Sequence, residues 1–206
     1  MRESSSVDIV YNYIKDQILA RAIFPGNRII EEDVAQKTGV SRISVRGALT
    51  KLENEGYIVS SPNRSACLIT PTKEEMKFAY ETRLLLEVAA ARDAINVITD
   101  EEIAHMEEMV EEQKKLLKKF SLPEFVRINR EIHWTIVKSS GNPYLLKFLN
   151  EIYNKCMVYL MFYDNSENDA SVERHERMVK ALKERNLAAL EQVIKEDLSF
   201  YNDEVE

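Results

Sequence analysis

The chain has 206 residues, 45% of them hydrophobic, and a formal net charge of −7, which is enough for one large or two modest domains with real cores. No apolar run approaches the roughly 20 residues of a membrane span, and the N-terminal MRESSSVD has no apolar signal segment, so a cytoplasmic protein without a membrane partner is expected. The charge is uneven: residues 1–70 carry nine Lys and Arg against eight Asp and Glu, about +1, leaving 19 against 27, or −8, for residues 71–206. An acidic body repels polyanions, so any nucleic-acid binding is confined to the N-terminal part. Cys67 and Cys156 stand apart among apolar residues and read as reduced core side chains.

In chain order, Val10, Ile14, Ile18 and Leu19 repeat at helical spacing before Phe24-Pro25-Gly26 breaks the pattern, which predicts a helix and then a turn. EEDVAQKTGVSRISVRGALTKLENEG, Glu31 to Gly56, then predicts two short helices. Gly39 suits the left-handed residue that ends the first, and Ser41 caps the second. Val45, Leu49 and Leu52 put one face of the second helix in the core, while Arg42 and Arg46, one turn apart, share another. Guanidiniums so placed near the start of an exposed helix can read guanine edges and pair with phosphates. Tyr57-Ile58-Val59 and Cys67-Leu68-Ile69 then predict a hairpin with Arg64 near its tip. Helix, helix, helix, hairpin is a winged helix-turn-helix. A helix pair that docks proteins and has incidental arginines is the alternative reading.

Pro71 marks the end of the module, and Thr72-x-x-Glu75 forms a capping box for an all-helical second part. Predicted helices run from about Lys73 to Ile95, from a Thr99-x-x-Glu102 capping box to about Lys119, and from a Ser121-x-x-Glu124 cap to Ser140. A fourth, opened by Asn142-Pro143, reaches Tyr163; a loop from Asp164 to Ala170 precedes a fifth, ending at Arg185; a sixth, capped by Asn186, runs to the C-terminus. The expected fold is mainly α: a winged helix-turn-helix over residues 1–70 and an antiparallel six-helix bundle over residues 71–206.

Inside the bundle, Asn129 and His133 share a helix face at i, i+4. His175 and Asp197 are each 11 residues from Asn186, so in an antiparallel hairpin they lie level, roughly 16 Å from the turn at ~1.5 Å per residue. Two imidazoles, a carboxylate and an amide at one level can hold Zn²⁺, Ni²⁺ or Mn²⁺. On spacing alone, core or surface residues without a metal are the stronger reading. His105, between Glu102 and Glu108, reads as a solvated surface residue.

PGNRIIEEDVAQKTGVSRISVRGALTKLENEGYIV resembles the N-terminal domain of GntR-family bacterial transcription regulators. The resemblance implies that Ser41, Arg42 and Arg46 of the recognition helix contact DNA; Ser44 on the same helix and Asn63 and Arg64 of the wing are further candidates for DNA contact. The chain departs from the family pattern at Ser44, where Pro is usual, at Gly47, where Glu or Asp is usual, and at Pro62-Asn63 in the wing. The stretches YETRLLLEVAAARDAI, INREIHWTIVKSSGNPYL and ERHERMVKALKERNLAALEQVIKEDL resemble the FCD-type ligand-binding domain of the FadR subfamily. Metal-holding members carry D-x-x-x-H, a second His, and a third His 22 residues further on; here Asn129, His133, His175 and Asp197 fall at those positions. One carboxylate is kept, in a different place. The resemblance further implies a small organic-acid effector, with Arg83 as a bidentate partner for its carboxylate and Tyr80 and Trp134 lining the pocket. The competing roles are an Arg83 to Glu87 bridge at i+4 and a core Trp134.

The reading is therefore a homodimeric transcription regulator that binds a palindromic double-stranded operator and is controlled by a small carboxylate. The first and fourth bundle helices are the expected dimer surface. A metal-dependent hydrolase built in the bundle is the rival from another class.

Overall fold

The computed structural model describes residues 5–60, 65–163 and 169–204. Among them the chain is mainly α, with nine helices and one two-stranded sheet.

The N-terminal part forms around α1 (Ser6–Leu19), whose Val10, Ile14 and Ile18 pack against Val45, Ala48, Leu49 and Leu52 of α3 (Arg42–Asn54). The short α2 (Glu31–Thr38) joins them through buried Val34 and ends at Gly39, whose φ of 69° is the left-handed cap predicted from sequence. Ser41 accepts the Ser44 N–H at 3.2 Å and opens α3. The hairpin pairs β1 (Ile58–Val59) with β2 (Cys67–Leu68) in antiparallel register, Ile58 opposite Leu68. The wing residues Asn63 and Arg64 lie outside the described residues.

Gly47, for which the sequence offers no account, sits where α1 crosses α3. A Cβ there would stand 3.2 Å from Val7 Cγ2, so the glycine admits the first turn of α1 at a cost in helix propensity of roughly 1 kcal/mol.

Six helices follow: α4 (Lys73–Ala94), α5 (Asp100–Lys118), α6 (Leu122–Ser139), α7 (Pro143–Phe162), α8 (Asp169–Lys183) and α9 (Leu187–Glu204). The capping boxes Thr72/Glu75 and Thr99/Glu102 form, Asn142 accepts the N–H groups of Tyr144 and Leu145, and Asn186 accepts that of Ala189. The expected Ser121 cap does not: its side chain makes no cap hydrogen bond, Glu124 turns to Arg127 instead, and Pro123 in the first turn shapes the start of α6. α8 begins at Asp169, just inside the expected loop, whose residues 164–168 are not described. α4 touches α6, α7 and α9 along a stripe of Met76, Tyr80, Arg83, Glu87, Ala90, Ala91 and Ala94, while α5 packs on α6 and α8. No helix of the described residues is long and apolar enough to cross a membrane.

The two parts are docked through polar contacts. Asn154 on α7 donates to the Glu55 carbonyl at 2.8 Å, Arg130 on α6 donates to the Tyr57 hydroxyl at 3.3 Å, and Arg21 reaches the Met161 carbonyl. Gly56, with φ of 79°, lies so close to Glu151 that a Cβ would meet its Cγ at 2.8 Å.

Most of the apolar α7 face expected at a dimer surface is spent within the chain: Leu145, Leu149, Tyr153, Cys156 and Met157 are buried. What stays exposed is Tyr144 and Phe148 on α7, with Phe78 and Leu85 on α4.

Candidate functional site

Two regions carry the predicted functional residues. On the solvent face of α3, the side chains of Arg42 and Arg46 are 58% and 66% exposed. Both turn toward Glu31 in the first turn of α2. Arg46 Nε donates to its two carboxylate oxygens at 3.1 and 2.9 Å, and Arg42 Nη2 stands 3.6 Å away. A carboxylate so placed holds the two guanidiniums in one orientation. Ser41 and Ser44 share a 3.0 Å contact at the start of the helix. Sequence reasoning missed Glu31; the signal was its place in the first turn of the helix preceding the arginines.

The second region is a polar centre inside the bundle. His133, His175 and Asp197 come together, with ligand atoms all within 4.8 Å of one another and each side chain almost wholly buried. The equal-height argument for α8 and α9 therefore holds. His133 Nε2 lies 3.3 Å from His175 Nε2 and 3.2 Å from Asp197 Oδ2. Asn129 is buried one turn before His133, and its Oδ1 has no hydrogen-bond partner among the described residues.

Around these four stand partners that spacing did not reveal. Glu87 on α4 accepts from His133 Nδ1 at 2.7 Å, from the Tyr153 hydroxyl at 2.7 Å, and from Arg83 Nε. Gln113 on α5 offers its Oε1 to His175 Nδ1 at 2.7 Å, and Arg174 Nε donates to Asp197 Oδ1 at 2.8 Å. Each Nδ1 then donates to its anchor, and in the neutral rings both Nε2 lone pairs face the space that Asp197 also faces. Gln113 was invisible because a lone glutamine on a charged helix has no motif. From the sequence, Glu87 is visible only as a partner for Arg83 at i+4.

The charges are set by burial and by these contacts. Burial opposes ionisation of Glu87, but the charge of Arg83 and the imidazole of His133 overcome it and bring its pKa down to about 2. For Asp197 burial is likewise overcome, by His133, His175 and Arg174, and its carboxyl is held below the usual range. Burial pushes His175 down to about 3, whereas Glu87 and Asp197 outweigh burial at His133 and raise its pKa.

This donor set fits a divalent transition metal. Two imidazole nitrogens and a carboxylate oxygen converge, both rings have their other nitrogen anchored, and an unpartnered amide oxygen lies one turn away on the same helix. Arg83 takes the Glu87 bridge rather than standing open, with its guanidinium 4.6 Å from the Tyr153 ring centre. Its Nη2, however, has no hydrogen-bond acceptor among the described residues. Tyr80 is buried beside Arg83, while half-buried Trp134 packs edge-on against Tyr153. His105 is exposed beside Glu108, as the sequence predicts.

Residues 7–68 match the family described as bacterial regulatory proteins, gntR family, and residues 79–200 match the FCD domain. The chain is a GntR-family regulator with an FCD domain. The Nta operon transcriptional regulator of Aminobacter aminovorans is 30% identical over 161 residues, 78% of this chain and 76% of that protein. The HTH-type transcriptional regulator YdhC of Bacillus subtilis is 26% identical over 200 residues, 95% of this chain and 88% of its own. Among solved structures, Escherichia coli McbR/YncC superposes with a TM-score of 0.83 at 20% identity, covering 99% of this chain and all of that one.

For a GntR regulator the partner is DNA. The hydrolase reading is set aside, because the chain's relatives are transcriptional regulators rather than enzymes.

Proposed function

We propose that this GntR regulator binds a palindromic operator as a homodimer in the cytoplasm and controls metabolic genes in response to a small carboxylate bound in its FCD domain beside a metal ion. The module of residues 1–70 supplies Ser41, Arg42, Ser44, Arg46, Asn63 and Arg64 to the DNA, and residues 71–206 dimerise and bind the effector. Dimerisation is favoured by the weak positive charge of the module, about +1, since two modules double the phosphate contacts. The exposed Phe78, Leu85, Tyr144 and Phe148 offer the apolar surface.

The observation that carries effector and metal control is the meeting of three lone-pair donors in the bundle core. His133 Nε2, His175 Nε2 and an Asp197 oxygen converge while the ring protons are committed to Glu87 and Gln113. His133, His175 and Asp197, with Asn129 as a neutral fourth donor, hold Zn²⁺, Ni²⁺ or Mn²⁺, and the bound metal supplies a Lewis-acidic position for an organic acid. Arg83, whose Nη2 has no acceptor among the described residues, provides the second anchor for that carboxylate, and Tyr80 and Trp134 flank it. An effector acts by favouring one placement of the modules over another, because equal affinity for both shifts nothing.

The test is operator selection from random duplexes, followed by titration of di- and tricarboxylates against the protein–operator complex, with and without metal. A carboxylate that changes operator affinity only in the metal-loaded protein is the expected result. Affinity indifferent to every acid in both forms overturns effector control.

A further inference from the structure

Ile43 is 82% exposed, the highest value among the exposed large apolar residues described, and it lies on α3. Single exposed apolar residues are ordinary on a protein surface, so exposure alone assigns nothing. Its neighbours do. Ile43 follows Arg42 directly and precedes Arg46 by three residues, so it stands on the solvent ridge beside the two guanidiniums, opposite the buried stripe of Val45, Ala48, Leu49 and Leu52. Both Arg42 and Arg46 are held by Glu31, whereas Ile43 lies on the ridge beyond that ion pair.

We infer that Ile43 is a specificity-determining residue that reads the 5-methyl group of a thymine in the major groove, next to the base pair that Arg42 or Arg46 addresses. The inference rests on the DNA-reading role of α3 and extends it from charge to apolar readout. The thymine methyl is the one apolar group that the four bases display in that groove, and a branched aliphatic side chain is its chemical complement. A helix with only Arg42 and Arg46 would recognise guanines and phosphates; Ile43 adds discrimination between thymine and cytosine, which differ there in the methyl and in the group on C4.

The experiment uses the full chain and its selected operator. Each thymine of the half-site is replaced singly by deoxyuridine, which removes only the methyl. The wild type should lose about fourfold in affinity at one position per half-site, the equivalent of about 0.8 kcal/mol for one buried methyl, and about fifteenfold when both halves are changed. Ile43→Ala should fold as wild type by circular dichroism, lose a similar factor on the thymine operator, and lose nothing further on the deoxyuridine one. If no thymine methyl matters, or if the methyl effect persists undiminished in Ile43→Ala, the assignment is overturned while DNA reading stands. An unchanged operator affinity in Ile43→Ala overturns it likewise and leaves the side chain for a protein contact. Failure to select any operator overturns DNA reading and this inference together.

Discussion

His133 and His175 face each other through their Nε2 atoms at 3.3 Å, and neither ring is free to turn, because Glu87 and Gln113 hold the two Nδ1 atoms. In the neutral rings two lone pairs meet there with the Asp197 carboxylate beside them, and they repel unless something positive lies between. A proton can do this for one pair of acceptors. A metal ion satisfies all three at once.

The first prediction concerns that ion. Protein stripped by a chelator and then titrated with Zn²⁺, Ni²⁺ or Mn²⁺ should gain thermal stability, by about 2.7 kcal/mol at a free metal concentration 100 times the dissociation constant. His133→Ala and His175→Ala should abolish the gain, and Asn129→Asp should tighten binding by adding a carboxylate at the orphaned position. Calorimetric scans that superpose with and without each metal would remove the metal from the account.

Glu87 is the counter-ion of a nearly buried guanidinium, with side-chain exposures of 2% for Arg83 and 3% for Glu87. Glu87→Gln keeps the shape and removes the charge, leaving Arg83 buried without its partner. The expected loss in urea denaturation is about 3 to 5 kcal/mol. Tyr153→Phe, which removes only the hydroxyl bonded to Glu87, should cost about 1 kcal/mol. Equal effects of the two changes would contradict this division of roles.

How far the sequence reached depends on the kind of signal. Elements that leave a local mark were readable: the Gly39 turn, the Thr72 and Thr99 capping boxes, the Asn142-Pro143 start of α7, and the paired arginines of α3. The meeting of His133, His175 and Asp197 was also legible, because the spacing about Asn186 fixes heights in a hairpin. The anchors were not. Glu87, Gln113 and Arg174 come from three different helices, and their partners are set by packing between helices rather than by spacing along one. Gly47 was opaque for the same reason, since its cause is Val7 on another helix. Ser121 failed in the opposite sense: the motif was present, but Arg127 competed for Glu124.

Cys156 gives a pH dependence with a definite sign. Burial, the largest influence, raises its thiol from the ordinary value of 9.0 to about 11. Below pH 9 the folded and unfolded chains both hold the proton. Between pH 9 and 11 the unfolded chain releases it and the folded chain does not, so stability falls as pH rises through this window. The full contribution is on the order of 3 kcal/mol. Denaturation of Cys156→Ala as a function of pH should lack this part of the alkaline slope, and an identical slope in both proteins would count against the buried thiol as its source.

Glu31, on α2, lies against the face of α3 proposed to read DNA. In the free protein its carboxylate holds Arg46 through both oxygens and draws Arg42 to 3.6 Å, yet all three groups touch solvent, so the pairing is weak. Exposed pairs of this kind contribute roughly 0.2 to 1 kcal/mol. Any duplex must displace this carboxylate or share the arginines with it, and a base edge in the right register recovers more than a random phosphate does. Glu31→Gln should therefore strengthen binding to operator and to unrelated duplex by a similar factor, up to about fivefold, the upper end of that range. Arg46→Ala should instead weaken operator binding by about 1 to 3 kcal/mol if the guanidinium reads a base. Fluorescence anisotropy on both duplexes at one salt concentration separates the effects. No gain on either duplex would show that Glu31 does not obstruct the arginines.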